Sequence, residues 1–197
     1  MLKVGITGNI GGGKTTVSKI FEVLGVPVFY ADDAAKKVMV EDPILIDALK
    51  QAFGTESYFD DGTLNRKHIA SIVFNDEAQL AKLNAISHPA VFRAFDNWVA
   101  QQQAPYVIKE AALLFESTSY KMCDYSVMVT APLELRITRV MQRDGFTREE
   151  VESRNAKQFS EEKKIRLANY VVRNDDTELV IPQVLALHKL ISSLVYW

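Results

Sequence analysis

The sequence predicts an α/β fold, a five-stranded parallel sheet flanked by helices. Three observations predict it. Five short apolar runs, at residues 2–7, 26–30, 106–110, 125–130 and 170–173, are mostly continuous rather than alternating, as in strands covered on both faces. Stretches of helical spacing separate them, and that order makes a parallel sheet. A glycine-rich run joins the first strand to the first helix.

Composition bounds the partners. The 197 residues suit one domain with a modest insertion, and 48% hydrophobic with 24% charged residues supports an ordinary core. A net charge of −2 without a long basic run argues against a nucleic-acid partner. Cys123 is alone, which excludes an internal disulfide and fits a reducing compartment. No signal-like segment precedes the first strand, and no apolar run approaches the ~20 residues of a membrane span. The expectation is a cytoplasmic protein with no membrane association and no obligatory protein partner.

The first strand, Leu2 to Thr7, leads into Gly8-Asn9-Ile10-Gly11-Gly12-Gly13-Lys14-Thr15. This is the phosphate-binding loop pattern: Gly, four residues, then Gly-Lys-Ser/Thr, between a strand and a helix. Glycines let backbone N–H groups converge on phosphate oxygens without a Cβ in the way. The following helix, starting near Thr16, aims its positive end at the same anion. Lys14 reaches the outer phosphates, and the Thr15 hydroxyl is placed to hold Mg²⁺.

The second strand ends in Tyr30-Ala31-Asp32-Asp33. Ligands collect at the carboxyl ends of strands in such sheets, so an acidic residue here is placed to accept a hydroxyl proton or help hold Mg²⁺. Asp32 is the better candidate, and Asp33 reads as a helix-start residue.

About 75 residues separate the second and third strands, far more than one crossover needs. Asp42-Pro43 starts a helix with an apolar stripe of Leu45, Ala48, Leu49 and Ala52, and Gly54 ends it. Asp60-Asp61-Gly62 marks a turn. Further helices are expected over about 66–82 and 87–103. This helical insertion, about 31–103, is expected to bind the acceptor. The core then comprises about 1–30, 104–138 and 161–197, within a single domain.

After the fourth strand, Pro132 opens a helix and Gly145 breaks it. Thr147-Arg148-Glu149-Glu150 is a capping box, and Ser160-Glu161-Glu162 is a third helix start. Short charged helices joined by breaks predict a lid over about 139–160. Arg136, Arg139 and Arg143 have i, i+3, i+7 spacing, so they share a helix face that is able to clamp phosphoryl charge. His68 and His188 read as structural, and no Cys/His cluster suggests zinc.

Several segments together carry a more specific resemblance. They are Gly5-Ile6-Thr7 with the phosphate loop, Asp61-Gly62-Thr63-Leu64-Asn65-Arg66, Ile72-Val73-Phe74 and Leu83-Asn84-Ala85-Ile86-Ser87-His88-Pro89-Ala90-Val91. Leu113-Leu114-Phe115-Glu116, Arg139, Arg143-Asp144, Arg154-Asn155-Ala156-Lys157-Gln158 and Ala168-Asn169-Tyr170-Val171-Val172-Arg173-Asn174 complete the set. The chain resembles the dephospho-coenzyme A kinase family over nearly its whole length. Tyr30 stands where the family's Asp-Ala-Asp motif has its first Asp, and Ala112 stands where the family has proline.

The resemblance implies an adenylate-kinase-like fold and transfer of the ATP γ-phosphoryl to the ribose 3′-hydroxyl of dephospho-CoA, the last step of coenzyme A synthesis. It implies catalytic roles for Asp32, as general base, Lys14 and Arg139. ATP is expected at Gly11, Gly12, Gly13, Lys14, Thr15, Thr16, Arg143 and Asn174, with Mg²⁺ at Thr15. The acceptor is expected at His88, Leu113, Phe115 and Glu116. The alternative reading is a kinase of the same loop type for another nucleotide or nucleoside-like hydroxyl acceptor. A GTPase would need Asp-x-x-Gly and Asn-Lys-x-Asp motifs, and neither occurs.

Overall fold

The computed structural model describes residues 1–74 and 76–195. Its strands are β1 (Leu2–Thr7), β2 (Val28–Tyr30), β3 (Tyr106–Glu110), β4 (Tyr125–Thr130) and β5 (Tyr170–Arg173). Its helices are α1 (Lys14–Val23), α2 (Ala31–Glu41), α3 (Pro43–Phe53), α4 (Arg66–Val73), α5 (Glu77–Ala100), α6 (Leu133–Asp144), α7 (Arg148–Ala156), α8 (Glu161–Leu167) and α9 (Val180–Leu194). Cα packing divides the chain into two compact units, Met1–Tyr30 with Gln102–Trp197, and Ala31–Gln101.

The first unit holds the sheet, in the order β2-β3-β1-β4-β5, with every pairing parallel. β1 is central because it is covered on both faces: Val4 and Ile6 on one and Gly5 and Thr7 on the other are buried, as are Val107 and Ile108 of β3 and Val127 to Val129 of β4. Register aligns Ile6 with Glu110, Tyr30 with Glu110 and Thr130 with Arg173, so the strands' carboxyl ends form one edge. Val17 and Phe21 of α1 join the same core as Val184, Leu187 and Ile191 of α9. Tyr106 contributes its ring to that core and its hydroxyl to His188 Nδ1 at 2.6 Å, which gives His188 the structural role expected.

β2 is two residues shorter than its apolar run. The Val26 N–H turns back to the Phe21 carbonyl at 3.0 Å, and Pro27 has no N–H to offer the ladder. The Pro27 carbonyl still accepts the Ile108 N–H at 2.9 Å.

The starts and stops read from the sequence after β4 are present. Gly145 ends α6 at φ 72°, Thr147 and Glu150 form a reciprocal capping box on α7, and Ser160 accepts the Lys163 N–H to cap α8.

The second unit is helical. The Asp42 carboxylate caps α3 through the Leu45 N–H at 3.1 Å and also accepts Arg93 of α5 at 2.6 Å. Leu45, Leu49 and Phe53 form the buried stripe of α3. His68, again structural, places Nε2 2.8 Å from the Phe53 carbonyl.

The expected helices at 66–82 and 87–103 need correction. The break falls earlier, after Val73, and one helix then runs from Glu77 to Ala100 with Pro89 inside it. Asp76 fixes the new start, accepting the Ala78 and Gln79 N–H groups at 2.9 and 3.0 Å. Pro89 removes one N–H from the ladder without ending the helix, so His88 lies mid-helix rather than at a helix start.

Candidate active site

The phosphate loop leaves β1 at the carboxyl edge and turns into α1 at Lys14. Gly11 and Gly13 have φ of 78° and 92°, where side chains are rarely tolerated. A Cβ on Gly11 would strike the Arg136 carbonyl, and one on Gly13 would strike the Asn174 amide. The Gly12 N–H bonds the Asn9 carbonyl at 3.0 Å and tightens the turn. Lys14 Nζ curls over the loop and donates to the Gly8 carbonyl at 3.1 Å.

Thr15 supplies a residue that the sequence reading missed. Its hydroxyl donates to Glu110 Oε2 at 3.2 Å. Glu110 is only 7% exposed, on the last position of β3 beside the loop's own strand. Its sequence signal was its place at a strand's carboxyl end, the same signal that singled out Asp32.

One side of the loop opens onto a cavity of about 290 Å³ lined by Gly11, Gly13, Thr16, Arg139, Arg143 and Asn174. Asn174 ties this wall together. Its N–H bonds the Thr130 carbonyl at 2.8 Å, its side-chain amide donates to the Gly12 carbonyl at 3.1 Å, and its own carbonyl accepts Arg139 Nη1 at 2.8 Å. Arg139 Nη2 donates to Asp176 at 2.7 Å, and Asp176 holds a left-handed backbone, φ 66°. Arg143 forks onto Asp144 at 2.8 and 2.7 Å.

The other side is closed. Arg136 is 4% exposed and is not part of the cavity wall. It donates to the carbonyls of Ala131 (2.8 Å) and Ile10 (3.4 Å), to Asn155 Oδ1 (2.8 Å) and to Glu161 (3.2 Å). The expected three-arginine face therefore divides: Arg136 is internal scaffolding, while Arg139 and Arg143 face the cavity. Asn9, 2% exposed, donates to the Phe159 carbonyl at 3.0 Å, and the Ile10 N–H donates to Gln158 Oε1 at 2.9 Å.

A third cluster follows β3. The Ala112 carbonyl accepts the Thr7 hydroxyl at 3.2 Å and Lys164 Nζ at 2.9 Å. Lys164 is fully buried and also pairs with Glu116 at 2.9 Å. Burial lowers the Lys164 pKa, against the opposing pull of Glu116. Glu116 Oε1 accepts the Phe159 N–H at 2.8 Å, while Oε2 is buried with no hydrogen-bond partner. Phe115 is 4% exposed and packs on Tyr120, whereas Leu113 is 45% exposed. Lys164 escaped the sequence reading because a Glu-Glu-Lys-Lys run looks like a solvated helix face.

Asp32 and His88 belong to the helical unit. Asp32 lies in the first turn of α2, directly after β2 in the chain, and its neighbour Asp33 pairs with Lys36 at 2.7 Å. His88 stacks on Phe92 of α5, with ring centroids 6.2 Å apart.

A family model described as dephospho-CoA kinase matches residues 2–179. A dephospho-CoA kinase of Bacteroides fragilis is 39% identical over 187 residues, covering 94% of this chain and 91% of that protein. Among solved structures, TT1252 from Thermus thermophilus superposes with a TM-score of 0.83 at 35% identity, covering 98% of this chain and 97% of the other. Shikimate kinase from Bacteroides thetaiotaomicron shares the fold, with a TM-score of 0.53 at 15% identity over 96% of this chain and 98% of its own.

Proposed function

The chain belongs to the dephospho-CoA kinase family, and we propose that it moves the γ-phosphoryl group of ATP onto the ribose 3′-hydroxyl of dephospho-CoA, with residues 8–15 as the phosphate cradle and Asp32 as the proton acceptor. The observation that carries this reading is the loop itself: an intact Gly-Lys-Thr turn on the sheet's carboxyl edge, in a chain that matches the family from residue 2 to 179.

Each residue has a chemical task. Backbone N–H groups of Gly11, Gly13, Lys14 and Thr15 gather the triphosphate, and Lys14 adds positive charge where phosphoryl negativity develops. Thr16, Arg139, Arg143 and Asn174 shape the cavity beside the loop, which suits the rest of the nucleotide. Thr15 Oγ1 and Glu110 Oε2 are neighbouring hard oxygen donors, the ligand type that Mg²⁺ takes. Bound there, Mg²⁺ would neutralise charge on the outer phosphate oxygens. Asp32 takes the proton from the attacking hydroxyl. His88, Leu113, Phe115 and Glu116 are assigned to the acceptor side, by resemblance to the family.

No helix among the described residues is long and apolar enough to cross a membrane. Burial pushes the Cys123 thiol up to about 11, so it stays protonated and unreactive.

The test is product analysis. Purified protein with Mg·ATP and a panel of dephospho-CoA, nucleosides and nucleotides is expected to phosphorylate dephospho-CoA at the 3′ position. Preference for another hydroxyl would replace the acceptor in this reading. Asp32→Asn is expected to lower kcat by about 10²–10⁴ with ATP affinity nearly unchanged, while Asp33→Asn is mild. The reverse pattern would move the base to Asp33.

A further inference from the structure

The segment after α7 touches the phosphate loop at a place that the reaction chemistry leaves unexplained. Gln158 lies between α7 and α8, far from the loop in sequence. Its side-chain oxygen accepts the N–H of Ile10, the third residue of the loop, at 2.9 Å. A backbone N–H can only donate, so the amide oxygen is the end that faces the loop.

Ile10 is fixed from three directions. Its N–H goes to Gln158 and its carbonyl accepts Arg136 at 3.4 Å. Its side chain packs on a small apolar cluster of Ile137, Val140 and Val151. Beside it, buried Asn9 donates to the Phe159 carbonyl at 3.0 Å and reaches Asn155 Oδ1 at 3.4 Å. Immediately afterwards the chain turns through Gly11, with positive φ, and the Gly12 N–H returns to the Asn9 carbonyl. The direction of every amide from Gly11 to Lys14 therefore depends on where Asn9 and Ile10 are held.

We propose that Gln158 is a positioning residue for phosphoryl transfer: by holding the Ile10 N–H, it sets the phosphate loop in its anion-binding shape before ATP arrives. This rests on the phosphate-cradle reading above. It also assigns residues 155–159 to the fixed part of the site, so the moving part of the expected 139–160 lid ends before Asn155. The Gln158 contact touches no substrate; it acts through the loop.

The experiment compares Gln158→Leu, which removes the acceptor at similar size, with Gln158→Glu, which keeps it but adds charge. Gln158→Leu is expected to lower kcat/KM for ATP about 10- to 100-fold, as loop misplacement does, and to speed hydrogen exchange at the Ile10 amide in the unliganded protein. Its KM for dephospho-CoA is expected to move less than about twofold. Gln158→Glu is expected to recover kcat relative to Gln158→Leu but to raise KM for ATP, because a carboxylate then borders the triphosphate site.

Wild-type kcat and KM for ATP in folded Gln158→Leu would overturn the proposal, even with a lowered melting temperature. If Gln158→Leu does not fold, wild-type kcat/KM for ATP together with unchanged exchange at the Ile10 amide in Gln158→Ala, which also removes the acceptor, overturns it equally. Lys14→Ala, assayed in parallel, separates the two levels. Activity retained in Lys14→Ala removes the cradle reading itself, whereas an inactive Lys14→Ala beside a wild-type Gln158→Leu removes only the positioning role.

Discussion

The two flanks of the phosphate loop are built from opposite materials, although one helix, α6, serves both. On the Asn9–Ile10 flank, polar groups are spent on one another: buried Arg136 donates to four acceptors, and the Asn9 side chain and the Ile10 N–H donate across to Phe159 and Gln158 in the chain after β4. On the Gly11–Thr16 flank, Arg139 and Arg143 border a cavity and are held by exposed or loop carboxylates, Asp176 and Asp144. Helical spacing alone gives the three arginines one face. Burial separates them: 4% exposure for Arg136 makes it part of the scaffold, because a charge withdrawn from water needs full hydrogen bonding. The closed flank fixes the loop, and the open flank waits for ligand.

The largest expected effect lies between the flanks. Lys14→Ala removes the cation that both flanks present, and kcat is expected to fall by about 10²–10³ with the melting temperature nearly unchanged. Steady-state kinetics with thermal denaturation checks this, and retention of more than about a tenth of kcat contradicts the cradle.

A crossed pair of substitutions sharpens the comparison. Arg136→Met strands several buried acceptors, so a stability loss of about 2–3 kcal/mol is expected. Arg139→Ala, on the open flank, is expected to leave stability within about 0.5 kcal/mol and to lower kcat about tenfold, more than it weakens dephospho-CoA binding. Denaturant melts and kinetics on both variants decide it. If both arginines act on stability alone, the two flanks are one scaffold.

How far the sequence could be read follows the same physical line. The strands were legible because residues such as Val127 to Val129 are buried on both faces and leave a continuous apolar run. The breaks at Gly145, Thr147 and Ser160 were legible because capping is local chemistry. Pro89 misled because a proline inside a long, packed helix leaves the same trace as one at a helix start. Glu110 and Lys164 were missed for a different reason. Their partners, Thr15 and Glu116, are 95 and 48 residues distant in the chain, and only the folded sheet brings them together. Gly11, Gly13, Thr16, Arg143 and Asn174, grouped from the sequence as ATP-binding residues, line one cavity, whereas the anchoring of Asn155 and Gln158 required the structure.

A smaller effect outside both flanks serves as a control. Burial by itself would raise the Asp42 pKa, but the Leu45 N–H and Arg93 outweigh it and hold the pKa below its ordinary 3.8. The folded chain thus binds this proton less readily than the unfolded chain. The stabilisation is complete above pH 3.8 and fades as pH falls through the folded value. Asp42→Ala is expected to cost about 1 kcal/mol at neutral pH, and the difference from wild type should shrink under acid in pH-dependent melts. Its kinetics at neutral pH are expected to match wild type.

Site-resolved hydrogen exchange tests the contrast between the flanks most directly. Val151 of α7 is secured to α6 by a small apolar cluster, Ile137, Val140 and Val151 with Ile10 and Phe146 packed against it, and no other residue of α7 is buried, so residues 144–154 are expected to open more readily than the sheet. In the free protein the Ile10 and Gly12 amides should already exchange slowly, while residues 144–154 exchange fast. Adding an ATP analogue with dephospho-CoA should slow 144–154 and leave Ile10 and Gly12 unchanged. Equal protection of both regions without ligand, or ligand-induced protection at Ile10 as large as that in 144–154, would contradict a loop built in advance on one flank and completed by ligand on the other.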